Sequence, residues 1–382
     1  MLLSLFFLFI FITSNLGYIL WLVDRLDVQA EAAPVFVIFA QMVTLYFCSL
    51  AGLLQPAMVI LYAMGWLLLG VVLVKHRRDL RSFLRKQATP GFVFFLLIVP
   101  LLWFQTRTSK FANWDEFSHW GLIFKEISQT NLLPGLNTTL IFPDYPPGTA
   151  LYQVFINYLM RYEEGSAYFA QGLMMLSPLV SLTHHFKWKK WYAVLGVYTA
   201  GFLLVNQMNY TLNSIYVDGL IGILFGTSAA FFLTHKEPNK KTFLYLLPML
   251  LALPLIKKSG IFFSLSVTLL ALGSYLFLQK GQFEEIKNWL HRTDRHKWGN
   301  ALAVAVLLLA VTAGPLLVAD SWSRHVTDFE KETGIQITAP VSISLEKLNH
   351  SFFGETTPRD DATITAFVKG LQEKPFGKTA TI

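Results

Sequence analysis

Two short polar segments carry the residues of this chain that are best suited to chemistry. The segment WDEFSHWG, residues 114–121, contains two adjacent carboxylates, Asp115 and Glu116, followed by a histidine, His119. The segment DYPPG follows at residues 144–148. Carboxylate and imidazole groups take up and release protons during reactions, so this combination suits general acid–base catalysis.

The composition places both segments in a membrane protein. Of the 382 residues, 54% are hydrophobic and 14% are charged, whereas soluble domains carry about 25% charge. Apolar runs of nearly 20 residues, the length that crosses a bilayer as a helix, recur along the chain. The sequence therefore predicts an all-α, polytopic membrane protein with about ten transmembrane helices. The runs lie near 1–23, 33–54, 56–74, 90–106, 165–185, 192–208, 219–234, 242–256, 261–279 and 300–319.

The polar segments divide the chain into four predicted parts. Residues 1–106 form N-terminal transmembrane helices, and 107–164 form a loop with an amphipathic helix and a Pro-Pro element. Residues 165–319 form a transmembrane bundle, and 320–382 form a C-terminal segment. The apolar stretch 148–162 is too short to span, so it is either a half-helix or the start of a longer tilted helix.

The distribution of basic residues predicts the orientation. Lysines and arginines gather in four loops, near 75–86, 187–190, 236–241 and 280–297. The positive-inside rule places these loops in the cytoplasm and the loop 107–147 outside. The formal charge of +7 thus reflects interhelical loops, and we expect no nucleic-acid partner. Compact loops without targeting motifs favour a multi-pass protein of a bacterial plasma membrane.

The segment 114–128 has the spacing of an amphipathic helix at the membrane surface. At 100° per residue, its apolar and polar residues separate onto two faces. Asp115 and His119 are four residues apart and are therefore predicted to be neighbours. The alternative is a solvated helix whose acids only face water. The apolar face holds Trp114, Phe117, Gly121 and Phe124, and the polar face holds Asp115, His119, Leu122 and Glu126.

Two further elements add geometry and charge. Pro146 and Pro147 fix two backbone angles, so they hold Asp144 and Tyr145 at a defined place beside the next helix.

Lys257 and Lys258 fall at the predicted outer end of a helix, where the positive-inside rule disfavours them. Either both side chains extend to the headgroups, or they bind an anionic group such as a lipid phosphate.

Taken together, these features resemble the GT-C superfamily of membrane glycosyltransferases, and most closely its protein O-mannosyltransferase and aminoarabinose-transferase branch. The resemblance covers about 105–165, with weaker support from Asp218 and the lysine pair. It implies transfer of a sugar from a polyprenyl-phosphate carrier to a hydroxyl of a glycan, lipid or protein at the outer face. The chain departs from the family pattern because about three extra helices precede the acidic loop.

The resemblance also implies roles for individual residues. Asp115 would be the general base, while Glu116 and His119 would orient it or bind sugar hydroxyls. No cofactor would be required, although a divalent metal held by the acids and His119 is an alternative. The predicted substrate-binding residues are Asp144, Tyr145 and Asp218 in a sugar pocket, and Lys257 and Lys258 at the phosphate.

Two other functions fit the sequence. A transporter or flippase of a charged glycolipid would use acids and lysines within a helical bundle. A polymerase or ligase of lipid-linked polysaccharide would share the substrate class and the outer location. It would draw on basic residues of the C-terminal segment, namely Arg324, His325 and Arg359.

Overall fold

The computed structural model describes residues 2–26, 28–135, 138, 140, 142–160, 163–207, 214–234, 240–278 and 295–333. Throughout this part of the chain the secondary structure is helical, without strands. Three regions used in the sequence predictions lie wholly or mostly outside the described residues. They are the basic loop near 236–241, the basic loop near 280–297 and the segment after 333, which includes Arg359.

The helices follow the apolar runs closely. The longer helices are α1 (Leu2–Leu26), α2 (Ala33–Leu50), α3 (Leu54–Lys75), α5 (Pro90–Thr106), α7 (Gly148–Met160), α8 (Glu164–Ser181), α9 (Trp191–Gln207), α10 (Val217–Thr234), α11 (Lys240–Ile256), α12 (Gly260–Leu278) and α13 (Arg295–Thr333). The shorter elements are α4 (Leu80–Gln87), a π turn (Glu116–Trp120), α6 (Gly121–Thr130) and a 3-10 turn (Trp188–Lys190).

The prediction of an all-helical protein is confirmed for the described residues, and its long apolar helices are compatible with a membrane protein. Each of the ten predicted spans coincides with a helix. Within the described residues, four helices are long and apolar enough to cross a membrane, namely α1, α2, α3 and α13. A fifth results if α4 and α5, which meet at 89°, count as one span. The full number of ten crossings stays a prediction, because over their described residues the remaining helices do not combine the length and the apolar composition of a span.

Small residues bring the first and third helices together. A Cβ atom on Gly17 would lie 1.9 Å from the carbonyl oxygen of Gly65, so the two backbones are in direct contact. The Ser14 hydroxyl donates to the carbonyl of Tyr62 across the same interface at 3.1 Å. Close approach at small residues is the usual way in which membrane helices associate.

Helix α7 begins and finishes at the same end of the bundle. Gly148, its first residue, lies against Leu255 at the C-terminal end of α11. Near its other end, the Asn157 side-chain oxygen accepts hydrogen bonds from Ser166 and from the Glu163 amide, both at 3.0 Å, where α8 starts. Of the two sequence-based alternatives, α7 is thus the separate short helix. We call this end of the bundle the site end.

The opposite end gathers basic loops. The indole nitrogen of Trp188 donates to the carbonyl of Ala88 at 2.8 Å, which joins the loop after α8 to the loop before α5. Lys75 forms an ion pair with Asp24 at 2.6 Å, so the ends of α1 and α3 meet there as well. Two of the predicted cytoplasmic loops therefore share one end, which we call the basic end.

Candidate active site

A π turn sets the direction of every side chain in the segment 114–121. Because this turn covers Glu116–Trp120, the segment holds more residues per turn than an α-helix. The predicted faces are consequently wrong, since they assumed 100° per residue. Trp114 and Phe117 are exposed, as predicted, but Gly121 and Phe124 turn into the core instead of sharing that surface. π turns inside helices frequently occur at functional sites.

Glu116 holds this segment in place from the inside. The residue is 1% exposed, and one carboxylate oxygen accepts the amides of Ala112 at 2.8 Å and Asn113 at 2.9 Å. The same oxygen accepts the Tyr168 hydroxyl at 2.9 Å, and the other accepts the amide of Ile215 at 3.2 Å. One buried carboxylate thus ties the acidic segment to α8 and to the start of α10. Of its two predicted roles, this geometry suits orientation of the base.

Asp115 differs from Glu116 in its exposure and in the hydrogen-bond partners of its carboxylate. It is half-buried, and its backbone amide lies 3.4 Å from the Tyr216 hydroxyl. Within the described parts of the chain, its carboxylate makes no hydrogen bond or ion pair. A carboxylate without protein partners can accept a proton from a substrate hydroxyl.

Three acids converge on the phenol of Tyr145. Burial raises the pKa of Tyr145 above its ordinary value, and the negative charges of Asp144, Asp115 and Asp218 raise it further. The phenol therefore stays protonated at neutral pH and can donate a hydrogen bond. These four residues come from three separate parts of the chain, and the fold brings them close enough for the three charges to act on the phenol.

The lysine pair, Lys257 and Lys258, lies directly after α11 and forms ion pairs with two of these acids. Lys257 forms an ion pair with Asp218, and Lys258 forms one with Asp144. The lysine side chains remain 40% and 44% exposed, so each ammonium group is still accessible to a ligand. Both lysines thus lie at the site end, where the sequence placed them.

His119 belongs to an aromatic group and not to an acid–histidine pair. Its ring stacks on Phe142 with centroids 4.3 Å apart, and lies 5.2 Å from Tyr145. Trp120 completes the group at 5.1 Å from Tyr145. Among the described residues, no hydrogen bond or ion pair joins His119 to Asp115, and the Nδ1 atom of His119 is hydrogen-bonded to the Ser118 hydroxyl. We call His119, Trp120, Phe142 and Tyr145 the aromatic shelf.

Helix α13 contributes Trp322, which the sequence reasoning missed, and His325, which it had named only for the polymerase or ligase alternative. It continues past the predicted boundary at 320 to Thr333, so its last turns reach the acidic loop. There the indole nitrogen of Trp322 donates to the backbone oxygen of Asp144 at 3.0 Å. His325 lies 3.0 Å from the carbonyl of Pro134. A signal was present, since Val318, Trp322 and Val326 are spaced every four residues and are all buried.

The acids and histidine of the site do not form a metal cluster. Within the described residues, no three His, Cys, Asp or Glu side chains are grouped so that they could hold a metal ion. Asp144 and Asp218 face lysines, and Glu116 is surrounded by amides and a hydroxyl. The metal alternative considered from the sequence therefore has no assembled set of ligands in this part of the chain.

Comparisons with known proteins add no family to this description. No family model matches the chain, and no match is found among curated proteins or solved structures. The function is therefore inferred from the geometry of the site, together with the sequence resemblance.

Gly148 joins the Pro-Pro element to the lysine pair, which makes it a sensitive position. A Cβ atom there would lie 2.7 Å from both the Cβ and the carbonyl oxygen of Leu255. We expect Gly148→Ala to lower the free energy of unfolding by about 1–3 kcal/mol, the usual cost of overpacking. Gly222→Ala is the matched control, because a Cβ at Gly222 meets open space. Thermal unfolding in lipid nanodiscs gives the comparison, and equal stability of the two variants would contradict the close contact.

Proposed function

We propose that this protein is a membrane glycosyltransferase of the GT-C type. It transfers a sugar from a polyprenyl-phosphate carrier to a hydroxyl group of a glycan, lipid or protein. The observation that carries the proposal is the division of roles among the acids of the site. In the described residues, Glu116 is saturated by donors, Asp144 and Asp218 face lysines, and the Asp115 carboxylate is left uncommitted.

Asp115 is the general base of the proposed reaction. The acceptor hydroxyl gives its proton to the Asp115 carboxylate as its oxygen bonds to the anomeric carbon of the sugar. The bond between that carbon and the phosphate oxygen breaks, and the lipid phosphate departs with the electron pair. Glu116 supports this step indirectly, since its four hydrogen bonds fix the backbone on which Asp115 stands.

Lys257 and Lys258 stabilise the departing phosphate. The two residues are adjacent in sequence at the site end, and their side chains remain partly exposed. The paired acids hold both side chains in position before the donor arrives, so little ordering is required when it binds. Preorganised positive charge at the leaving group is usually the largest electrostatic contribution to such a reaction.

The aromatic shelf offers a surface for the sugar. Phe142 is 40% exposed and stacks with Tyr145 at 5.4 Å, so a flat apolar surface borders the acids. The apolar face of a sugar ring can pack on such a surface, while the Tyr145 hydroxyl donates to a ring substituent. The exposed Trp114, in the same polar segment as His119, suits the headgroup level of a membrane.

The basic loops support an outward-facing site. The loops before α5 and after α8 meet at the basic end, opposite the site. The positive-inside rule assigns that end to the cytoplasm, so the site end faces outward in a plasma membrane. A lipid-linked donor would then lie in the outer leaflet with its phosphate at the lysines.

The direct test is sugar transfer in reconstituted vesicles. We expect the protein to release or transfer sugar from at least one member of a panel of radiolabelled polyprenyl-phosphate sugars. Lys257→Gln and Lys258→Gln should each lower kcat/KM by about 100- to 1,000-fold, the range for loss of one preorganised donor. Lys331→Gln is the control, since Lys331 is exposed and pairs only with Asp328 in the described region. Turnover with no donor by a folded protein would refute the proposal and favour the transporter alternative.

A further inference from the structure

A cavity lies in the middle of the helical bundle, apart from the candidate active site. It holds about 480 Å³ of space, counting its open side, between α1, α2 and α5, with α7 and α8 behind it. Most of its lining is apolar, from residues such as Phe11, Val37 and Val99. None of the acids, lysines or aromatic-shelf residues of the site contributes to this lining.

Two polar side chains line this apolar space, and each carries one buried atom that has no hydrogen-bond partner among the described residues. The Tyr152 hydroxyl is fully buried and has no hydrogen-bond partner among the described residues. Asn15 is 8% exposed, and its amide nitrogen donates to the Phe11 carbonyl at 2.9 Å. Its side-chain oxygen has no partner in the same part of the structure. A buried polar atom without a hydrogen-bond partner costs free energy, so a ligand that forms hydrogen bonds with both atoms would relieve this cost.

The cavity opens sideways between two helices. Helices α1 and α5 both line it, yet in the described chain they do not pack extensively against each other. The residues at this gap, Ile12, Leu16 and Leu96, are only half-buried. Asn15 lies near the middle of α1, and Val99 lies near the middle of α5. The gap therefore opens at the depth of the lipid chains.

We propose that this cavity binds an aliphatic alcohol, an apolar chain that carries one hydroxyl group. A hydroxyl both donates and accepts, so it can donate to the Asn15 oxygen and accept from Tyr152. A charged headgroup has no counter-charge in the lining, and an alkane leaves both polar atoms unsatisfied. Water would satisfy the same pair but would leave the rest of the apolar wall unfilled, and apolar cavities stay dry.

Photolabelling in vesicles tests this site directly. The probes are an octanol that carries a diazirine group and the matching diazirine-bearing octane. We expect saturable labelling of peptides from α1, α5 and α7 by the alcohol. The alkane should label the same peptides about tenfold more weakly, as expected for the loss of two hydrogen bonds of about 0.7 kcal/mol each.

Two variants distinguish selective binding from general partitioning. Tyr152→Phe removes only the hydroxyl and should lower alcohol labelling severalfold while alkane labelling stays unchanged. Leu96→Trp fills the gap and should abolish labelling by both probes, with unchanged labelling of lipid-exposed Leu101 on α5 as the internal reference. Equal labelling by both probes in the wild type would overturn the proposal. So would an absence of saturable labelling, which would mean that the cavity holds water only.

Discussion

Asp115→Asn should lower the rate of sugar transfer by about 100- to 10,000-fold, the range for removal of a general base. Asparagine has nearly the shape of aspartate but cannot take a proton from the acceptor hydroxyl. The Asp115 carboxylate makes no hydrogen bond or ion pair in the described structure, so the substitution breaks no protein contact. Expression, membrane insertion and the unfolding temperature should therefore match the wild type. The measurement is kcat/KM for the active donor in vesicles.

Asp328→Asn serves as the control for this prediction. Asp328 lies on the exposed end of α13 and pairs with Lys331, so its loss should leave transfer unchanged. If Asp115→Asn retained wild-type activity, Asp115 would not be the base. Asp144 and Asp218 would then be the acids to test next, since both charges also act on Tyr145.

Glu116→Ala should cause the largest loss of stability of any single change at the site. It removes the acceptor for three backbone amides and one hydroxyl, and the loss of a partner costs about 1–3 kcal/mol for each buried group. Because some donors can move to reach water, we expect a net loss of about 3–5 kcal/mol in the free energy of unfolding. Denaturant unfolding in mild detergent provides the measurement.

Two companion variants make the Glu116 result interpretable. Tyr168→Phe removes one of the four donors and should cost about 1 kcal/mol. Glu332→Ala changes an exposed acid at the end of α13 and should have no measurable effect. If Glu116→Ala were no less stable than Tyr168→Phe, the network of four hydrogen bonds would not hold the segment as described.

The helices were predictable from the sequence because they depend on local composition. Each apolar run became a helix, and errors were confined to ends, as where the run 33–54 stops at Leu50. For the run 300–319 the predicted end comes too early, since the helix continues to Thr333. Its polar continuation hides a buried face spaced every four residues, which carries Trp322 to the acidic loop.

Within the site, the sequence predicted which residue types matter but not how they divide the work. Asp115 and Glu116 are adjacent acids, and nothing local distinguishes them. In the folded chain Glu116 alone accepts from the distant Tyr168 on α8 and Ile215 before α10, in addition to the nearby amides of Ala112 and Asn113. A rule of 100° per residue cannot predict the π turn, so the placement of Gly121 and Phe124 on the exposed face was wrong. The membership of His119 in the site stays a prediction.

Helix α7 also determines whether the chain passes through the bundle an even or an odd number of times between Ala88 and Trp188. Because it returns to the end at which it started, the segment between α5 and α8 adds no crossing. Had α7 passed through the bundle, the even count of passes between the loops at Ala88 and Trp188 would have become odd. These two loops would then lie on opposite surfaces, whereas they are in contact. Because this short helix turns back, the helices after it run in the same alternating directions as if α7 were absent.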